Sequence, residues 1–409
     1  MTGPTYLDYQ ATTPLAPEAV AAMSPWLENG FANPHSSHRL GREAAAAVEV
    51  ARGRVVDALV YSSVRPERSR GAHPSEAEGK RSLGFARQGV STSLDTNGSL
   101  YFTSGATEAI NWALKGAAAR LPPDRRRIVT LATEHAAVLD TVGYLADLGF
   151  DVEILPVAAD GLVDLAAVGA ALRTPTGLVA AMLVNNEIGV IQPVAGIGAL
   201  ARSAGALLLC DAVQGFGRVP IPLEACDLLA VSAHKVHGPK GIGALWVRAG
   251  VEIDPLLHGG GQEGGLRSGT LSPALCAGFG EAARLLVERS DEDRAHVDRL
   301  WEKGRAMMSG WTLNGSADRR YRGNLNLRRD GVDAARLISE LRGIAFSAGS
   351  ACASGSGRPS HVLAALGLAD REARSSLRLG FGRYTSEEEL AEALSLIDSA
   401  ASRQPGLAA

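Results

Sequence analysis

Four stretches of this chain carry side chains whose types and spacing could do chemistry. In Ser232-Ala233-His234-Lys235-Val236-His237-Gly238-Pro239-Lys240-Gly241, a lysine stands between two apolar runs, Cys226-Asp227-Leu228-Leu229-Ala230-Val231 and Ala244-Leu245-Trp246-Val247. Both runs read as strands, so Lys235 sits at a strand end among small residues. Its amine can form a Schiff base with an aldehyde cofactor while the glycines let a phosphate approach; taken alone, a basic hairpin loop would look the same. Ser104-Gly105-Ala106-Thr107 follows a strand and opens a helix, where free amides and hydroxyls suit a phosphate or simply cap the helix. His135 follows another strand; a lone histidine there could be purely structural. Asp211 ends Leu207-Leu208-Leu209-Cys210, where a carboxylate is costly unless paired, and Gln214 stands three residues on.

Together these residues describe a pyridoxal 5'-phosphate site. The cofactor's ring acts as an electron sink only while its nitrogen is protonated, which a neighbouring carboxylate ensures. An opposite charge at about 4 Å contributes roughly 4 kcal/mol at an effective dielectric of 20, before desolvation is subtracted. Asp211 is the expected carboxylate, His135 the group over the ring, and Lys235 the amine on the aldehyde carbon.

The elements that must position these groups alternate. Strands are expected at 99–103, 128–131, 152–157, 177–184, 206–210, 226–231 and 244–247, with helices at 106–119, 136–148, 164–172 and 197–204 between them. Strand–helix alternation implies βαβ units and a mostly parallel sheet, with ligands bound at the carboxyl ends of its strands. Helices at 17–27 and 41–59 precede this part. Beyond Gly259-Gly260-Gly261 a long charged helical region (273–308) leads into short strands near 324–327 and 344–346, and helices at 334–342, 361–366 and 386–401, an α+β arrangement. The expected division is a large domain at 14–265 and a small one formed by 1–13 with 266–409.

Residues 61–97 break the pattern. Ser62-Ser63-Val64-Arg65-Pro66-Glu67-Arg68-Ser69-Arg70 and the residues up to Asn97 keep neither a helical nor a strand period, and read as a low-complexity, loosely ordered insertion in a surface connection. Lengthening a loop about sixfold costs only about 1.6 kcal/mol of closure entropy. The arginines could instead form a partner-binding arm.

With 41 Lys and Arg against 44 Asp and Glu in 409 residues, no global charge favours nucleic acid or a membrane surface. The first residues lack the basic and apolar regions of a signal peptide, and no apolar run reaches the roughly 20 residues of a membrane helix. The four cysteines, Cys210, Cys226, Cys276 and Cys352, form no close pair, which points to a reducing, cytoplasmic setting rather than a disulfide framework. Cys210 and Cys226 stand in strands and read as structural. The pairs His35 with His38 and His234 with His237 have no third ligand nearby, so no metal is expected.

The chain resembles the cysteine desulfurases, a class V aminotransferase-like branch of the fold-type I pyridoxal phosphate enzymes. The resemblance is carried by Tyr6-Leu7-Asp8 with Ala11-Thr12-Thr13, Phe102 to Glu108, Glu134-His135, Asn185-Asn186-Glu187-Ile188-Gly189, Asp211-Ala212-Val213-Gln214, the lysine loop, Gly259 to Glu263, Leu266 to Thr270 and Gly349-Ser350-Ala351-Cys352. It covers nearly everything except 61–97. It implies an α/β fold with a seven-stranded, mostly parallel sheet in the large domain, and a homodimer. Lys235 would hold the cofactor and move the substrate's Cα proton, and His135 would assist. Asp211 would pair with the ring nitrogen and Gln214 with the ring hydroxyl. Ala106, Thr107, Ser232 and His234 would hold the phosphate, with Thr270 reaching in from a second subunit. Asn186 and Arg378 would bind the substrate carboxylate, for which an arginine fork is well shaped. Cys352, in a loop of small polar residues from Ser347 to Gly357, would take sulfur from L-cysteine as a persulfide, leaving alanine, and pass it to an acceptor such as an iron–sulfur scaffold protein or a thio-cofactor pathway. A class V aminotransferase, a selenocysteine lyase, or a catalytically weak scaffold protein on the same fold are the alternatives. One departure stands out: Gly264 occupies a position where the family usually has arginine.

Overall fold

A computed structural model of the chain describes residues 3–64, 97–349 and 360–404. The first part contains β1 (Thr5–Tyr6), α1 (Pro17–Glu28), α2 (Arg39–Val64), β2 (Gly98–Thr103), α3 (Ala106–Ala118), β3 (Arg127–Leu131), α4 (Ala136–Asp147), β4 (Asp151–Leu155), α5 (Leu165–Ala171), β5 (Leu178–Met182), α6 (Val194–Ser203), β6 (Leu207–Asp211), β7 (Leu228–Ser232) and β8 (Gly243–Arg248). The second holds α7 (Pro273–Glu288), α8 (Ser290–Met307), β9 (Thr312–Leu313), β10 (Asn324–Arg328), α9 (Ala334–Glu340), β11 (Ile344–Ala345), β12 (Ser347–Ala348), α10 (His361–Ala365), α11 (Asp370–Arg374), β13 (Ser376–Gly380) and α12 (Glu387–Arg403).

Seven strands form one sheet in the order β2-β8-β7-β6-β5-β3-β4. Only β8 runs against its neighbours β2 and β7; the other pairs are parallel. The central strands β5, β6 and β7 are apolar up to their last residues, as strands covered on both faces are. Their residues alternate between two cores: Val179, Ala181, Leu208, Cys210, Leu229 and Val231 face one, and Leu178, Ala180, Leu209, Leu228 and Ala230 the other. The helix α3 contributes Ile110, Trp112 and Leu114 to the second core. On the opposite face, α2 and α7 contribute Val55, Leu59, Cys276, Phe279 and Leu286 to the first. Fully burying one such side chain contributes about 1.5–3 kcal/mol.

A smaller antiparallel sheet, β12-β13-β10-β9, packs against α8 and α12. The N-terminal β1 joins this unit by pairing in parallel with β11, and Leu7 lies in its core. Packing carries the large unit past residue 265, since α7 lies along α1 and α2. The charged region expected as one long helix is two, α7 and α8, meeting at Arg289. Residues 61–64 are the last turn of α2; the rest of the expected insertion, up to residue 96, lies outside the described residues. No helix among the described residues is long and apolar enough to cross a membrane.

Candidate active site

The carboxyl ends of β6 and β7 and the turns after β2, β3 and β5 open into one cleft of about 650 Å³. Asp211 is the last residue of β6, buried at 6% exposure. Its Oδ1 accepts from the Val213 amide at 3.0 Å. Burial pushes its carboxyl upward, while that amide and the charges of His135 and Lys235 hold it down. Such a carboxylate on a cleft floor calls for a cationic N–H partner.

The strand β7 ends at Ser232, and a single 3-10 turn, Ala233–Lys235, follows. Lys235 Nζ donates to the carbonyls of Gln10 at 2.6 Å and Ala11 at 2.8 Å. The N-terminal segment therefore holds the amine at the cleft wall. It also holds His234, whose Nδ1 lies 3.2 Å from Thr12 Oγ1 and whose carbonyl accepts from Thr13 Oγ1 at 3.0 Å. Burial, then Lys235, Lys240 and Arg218, push His234 down to about 4, so its ring is neutral at pH 7.

Opposite, α3 begins without a side-chain cap, its N-cap being Gly105. Its first residues, Ala106 and Thr107, face the cleft together with Ser232, His234 and Lys240. Uncapped helix amides, two hydroxyls and a lysine form a donor set matched to a phosphate.

His135 caps α4: its Nδ1 accepts from the Ala137 amide at 3.0 Å. The neutral ring therefore carries its proton on Nε2. Gln214, in the turn after β6, donates through Nε2 to the Gln10 carbonyl at 2.8 Å. Asn186 follows β5, and its carbonyl accepts from Arg378 Nη1 at 3.3 Å. Arg378 sits on β13, between Leu377 and Leu379, which point into the small unit's core while the arginine turns toward the cleft. It is 1% exposed, its Nη2 donates to Asp8 at 2.6 Å, and its Nε has no partner among the described residues. A buried guanidinium with a spare N–H is a ready carboxylate receptor.

Lys235, His135, Ala106, Thr107, Asp211, Gln214, Ser232, His234, Asn186 and Arg378 thus line one cleft. Thr270 does not: it lies in a separate depression beside Trp26, Phe31 and Pro34. Cys352 lies outside the described residues. Gly264 has φ 67° with nothing near the position of a Cβ, a conformation glycine adopts without strain.

Sequence reasoning missed several groups here. Glu134 is fully buried, with Oε1 accepting from the Met182 amide at 2.8 Å and Oε2 unpartnered among the described residues. Burial, reinforced by Asp211, drives its carboxyl well above the usual range. Glu187 accepts a short hydrogen bond from Ser360 Oγ, and His361 Nε2 lies 2.9 Å from the Glu134 carbonyl. Arg218 stands behind Gln214. Only its spacing, four residues after Gln214, is visible in the sequence.

The pyridoxal 5'-phosphate read from the sequence fits these residues: a buried anion for the ring nitrogen, an amine within the same cleft and a donor cluster for the phosphate. The aminotransferase class-V family model matches residues 5–63 and 58–393. The chain is 42% identical over 405 residues to the cysteine desulfurase IscS of Rickettsia bellii (strain OSU 85-389), spanning 97% of this chain and 90% of that protein. It is 44% identical over 397 residues to a mitochondrial cysteine desulfurase of Eremothecium gossypii, spanning 95% of this chain and 74% of that protein. Among solved structures it is similar to a NifS-like protein, with a TM-score of 0.83 and 32% identity over 98% of this chain and 99% of that one.

Proposed function

The chain belongs to the aminotransferase class-V family and, within it, is a cysteine desulfurase; we propose that it converts L-cysteine to L-alanine through a persulfide on Cys352 and passes the sulfur on for iron–sulfur cluster or thio-cofactor assembly. The observation that carries this reading is the convergence of Lys235, Asp211 and Arg378 on one cleft. Pyridoxal 5'-phosphate, when bound, supplies an electron sink that makes the substrate's Cα proton acidic. Asp211 and Gln214 would hold its ring, and Ala106, Thr107, Ser232 and His234 its phosphate.

Arg378 and Asn186 grip the substrate carboxylate and so fix which face of the amino acid meets Lys235. Lys235 Nζ, released from the Gln10 and Ala11 carbonyls, takes and returns the Cα proton. His135, its Nδ1 held by the Ala137 amide, would assist that proton transfer as a hydrogen-bond donor through Nε2. The Cys352 thiolate attacks the substrate sulfur: an S–S bond forms, the Cβ–S bond breaks, and Cβ gains a proton. One L-cysteine and one thiol become one L-alanine and one persulfide, with no outside oxidant. A free thiol is only a few per cent ionised at neutral pH, so the substrate complex must promote its ionisation. We read the working unit as a cytoplasmic homodimer in which Thr270 serves the cleft of the other subunit.

The test is to load the protein with pyridoxal phosphate, add L-cysteine, and assay alanine and, with a thiol reductant, sulfide. Cys352→Ala should lose both persulfide and sulfide while keeping the cofactor's visible absorption. Undiminished sulfide from Cys352→Ala would refute the persulfide route.

A further inference from the structure

Lys235 also lines a second cavity, of about 190 Å³, between residues of the large and small units. Arg218 lines this cavity and not the cleft. The two aspartates there are already engaged, Asp293 by Arg383 and Asp298 by Arg322. Arg218 makes no ion pair with a carboxylate among the described residues. Its guanidinium lies 5.2 Å from the Tyr321 ring and makes two short hydrogen bonds. Nη1 donates to Gln214 Oε1 and Nη2 to the Lys235 carbonyl, each at 2.5 Å. Partly burying a cation without a counter-charge has a cost, and what Arg218 obtains here is a grip on two cleft residues at once.

From this geometry we infer that Arg218 is a positioning residue that sets which end of the Gln214 amide faces the cofactor. A guanidinium can only donate, so the amide oxygen of Gln214 must turn toward Arg218. The amide nitrogen must then turn the other way, where it donates to the Gln10 carbonyl at 2.8 Å. Its second hydrogen is left for the cleft. The same Gln10 carbonyl accepts from Lys235 Nζ at 2.6 Å, so Arg218, Gln214, Gln10 and Lys235 form a closed ring of contacts. One guanidinium braces the lysine's backbone and, through Gln214 and Gln10, the acceptor of its amine. Without Arg218 the Gln214 amide would be held only by the Gln10 carbonyl, which Lys235 Nζ also claims.

The inference rests on the pyridoxal phosphate reading. An N–H donor facing the cofactor's ring oxygen favours that oxygen's anionic form, whereas a carbonyl opposes it. The pH midpoint of the visible absorption change is therefore the readout, and a merely structural role would not move it. Arg218→Met should raise the midpoint by about one pH unit, the size of one hydrogen bond to a charged group. Gln214→Ala should raise it similarly, and adding Arg218→Met to Gln214→Ala should change nothing further. Arg218→Lys, which keeps a donor, should restore the wild-type midpoint.

A midpoint that ignores Arg218→Met, or shifts that simply add in the double variant, would overturn the inference. If Arg218→Met does not fold, Arg218→Lys carries the test, and a midpoint as displaced as that of Gln214→Ala would overturn it equally. A wild-type protein that takes up no pyridoxal phosphate would overturn the functional reading together with this one. A normal band indifferent to Arg218 overturns this one alone.

Discussion

Replacing Glu134 by Gln should leave the fold intact and make it progressively more stable, relative to the wild type, as pH rises. The Glu134 carboxyl is 0% exposed, with one oxygen held by the Met182 amide and the other unpartnered among the described residues. Met182 is the register partner of Asp211, so a second buried carboxyl lies close by. Burial first, and Asp211 second, raise Glu134 well above its ordinary value of 4.5, against the pull of the Met182 N–H. The folded protein therefore keeps Glu134 protonated where the unfolded chain ionises it. Above the unfolded value the unfolded state binds fewer protons, so stability falls with rising pH until the folded value is reached. With the unfolded chain titrating near 4.5, retaining that proton at pH 7 costs at most about 3 kcal/mol. At pH 5, close to the unfolded value, the cost is about 1 kcal/mol or less. Gln keeps the shape and the Met182 bond and has no proton to retain. Its amide inherits the unpartnered position at a cost of about 1–3 kcal/mol, which does not depend on pH. The stability difference should thus move in favour of Gln between pH 5 and pH 7, by at most about 2–3 kcal/mol. Urea unfolding of both apo-proteins across that range measures it. A difference that stays flat would mean that Glu134 is ionised in the folded state and would refute the reasoning.

Arg378→Lys should raise KM for L-cysteine tenfold or more while changing kcat much less, because a point charge replaces a two-bond fork; steady-state sulfide formation separates the two, and an unchanged KM would remove Arg378 from the substrate site. Gly217 has φ 70°, and a Cβ there would sit 2.5 Å from Leu286 Cδ2. Gly217→Ala should therefore cost about 1–3 kcal/mol and, by distorting the turn carrying Gln214 and Arg218, weaken pyridoxal phosphate uptake by the apo-protein. Thermal melting and a cofactor titration test both effects, and wild-type values in both would contradict the strain argument. Ser360→Ala removes the hydroxyl that donates to the buried Glu187 carboxylate. Burial raises Glu187 and that hydroxyl holds it lower, so the loss of stability should grow as pH rises and Glu187 ionises; melting points that fall equally at every pH would count against it.

How much of this was legible in advance depended on what each position required of its neighbours. Asp211 and Lys235 were legible because an apolar run that ends in a charge leaves that charge at a strand's carboxyl end, where open α/β sheets bind ligands. The mostly parallel sheet was legible because strands alternate with helices, which implies βαβ units. The strand β13 was not. Ser376-Leu377-Arg378-Leu379-Gly380 is short and carries a charge at its centre, so local pattern argues against a buried strand. Its arginine is tolerated because Asp8, from the far end of the chain, meets it. Resemblance alone had singled out Arg378.

The deepest gap lies in groups that carry no sequence signal at all. The Gln10 carbonyl receives both Lys235 Nζ and Gln214 Nε2, from residues 225 and 204 positions away. Every residue offers a carbonyl, so nothing in the side chain of Gln10 marks it as the acceptor that aims the amine. Arg218 is its counterpart among side chains: an arginine four residues after a glutamine ordinarily reads as a solvated surface pair. Only the packing of Tyr321 and the lysine turn around it makes it a half-buried brace. Side chains that meet the ligand are constrained by chemistry and can be read from their type. The groups that aim them are constrained only by where the fold brings distant backbone together, and that is settled by packing.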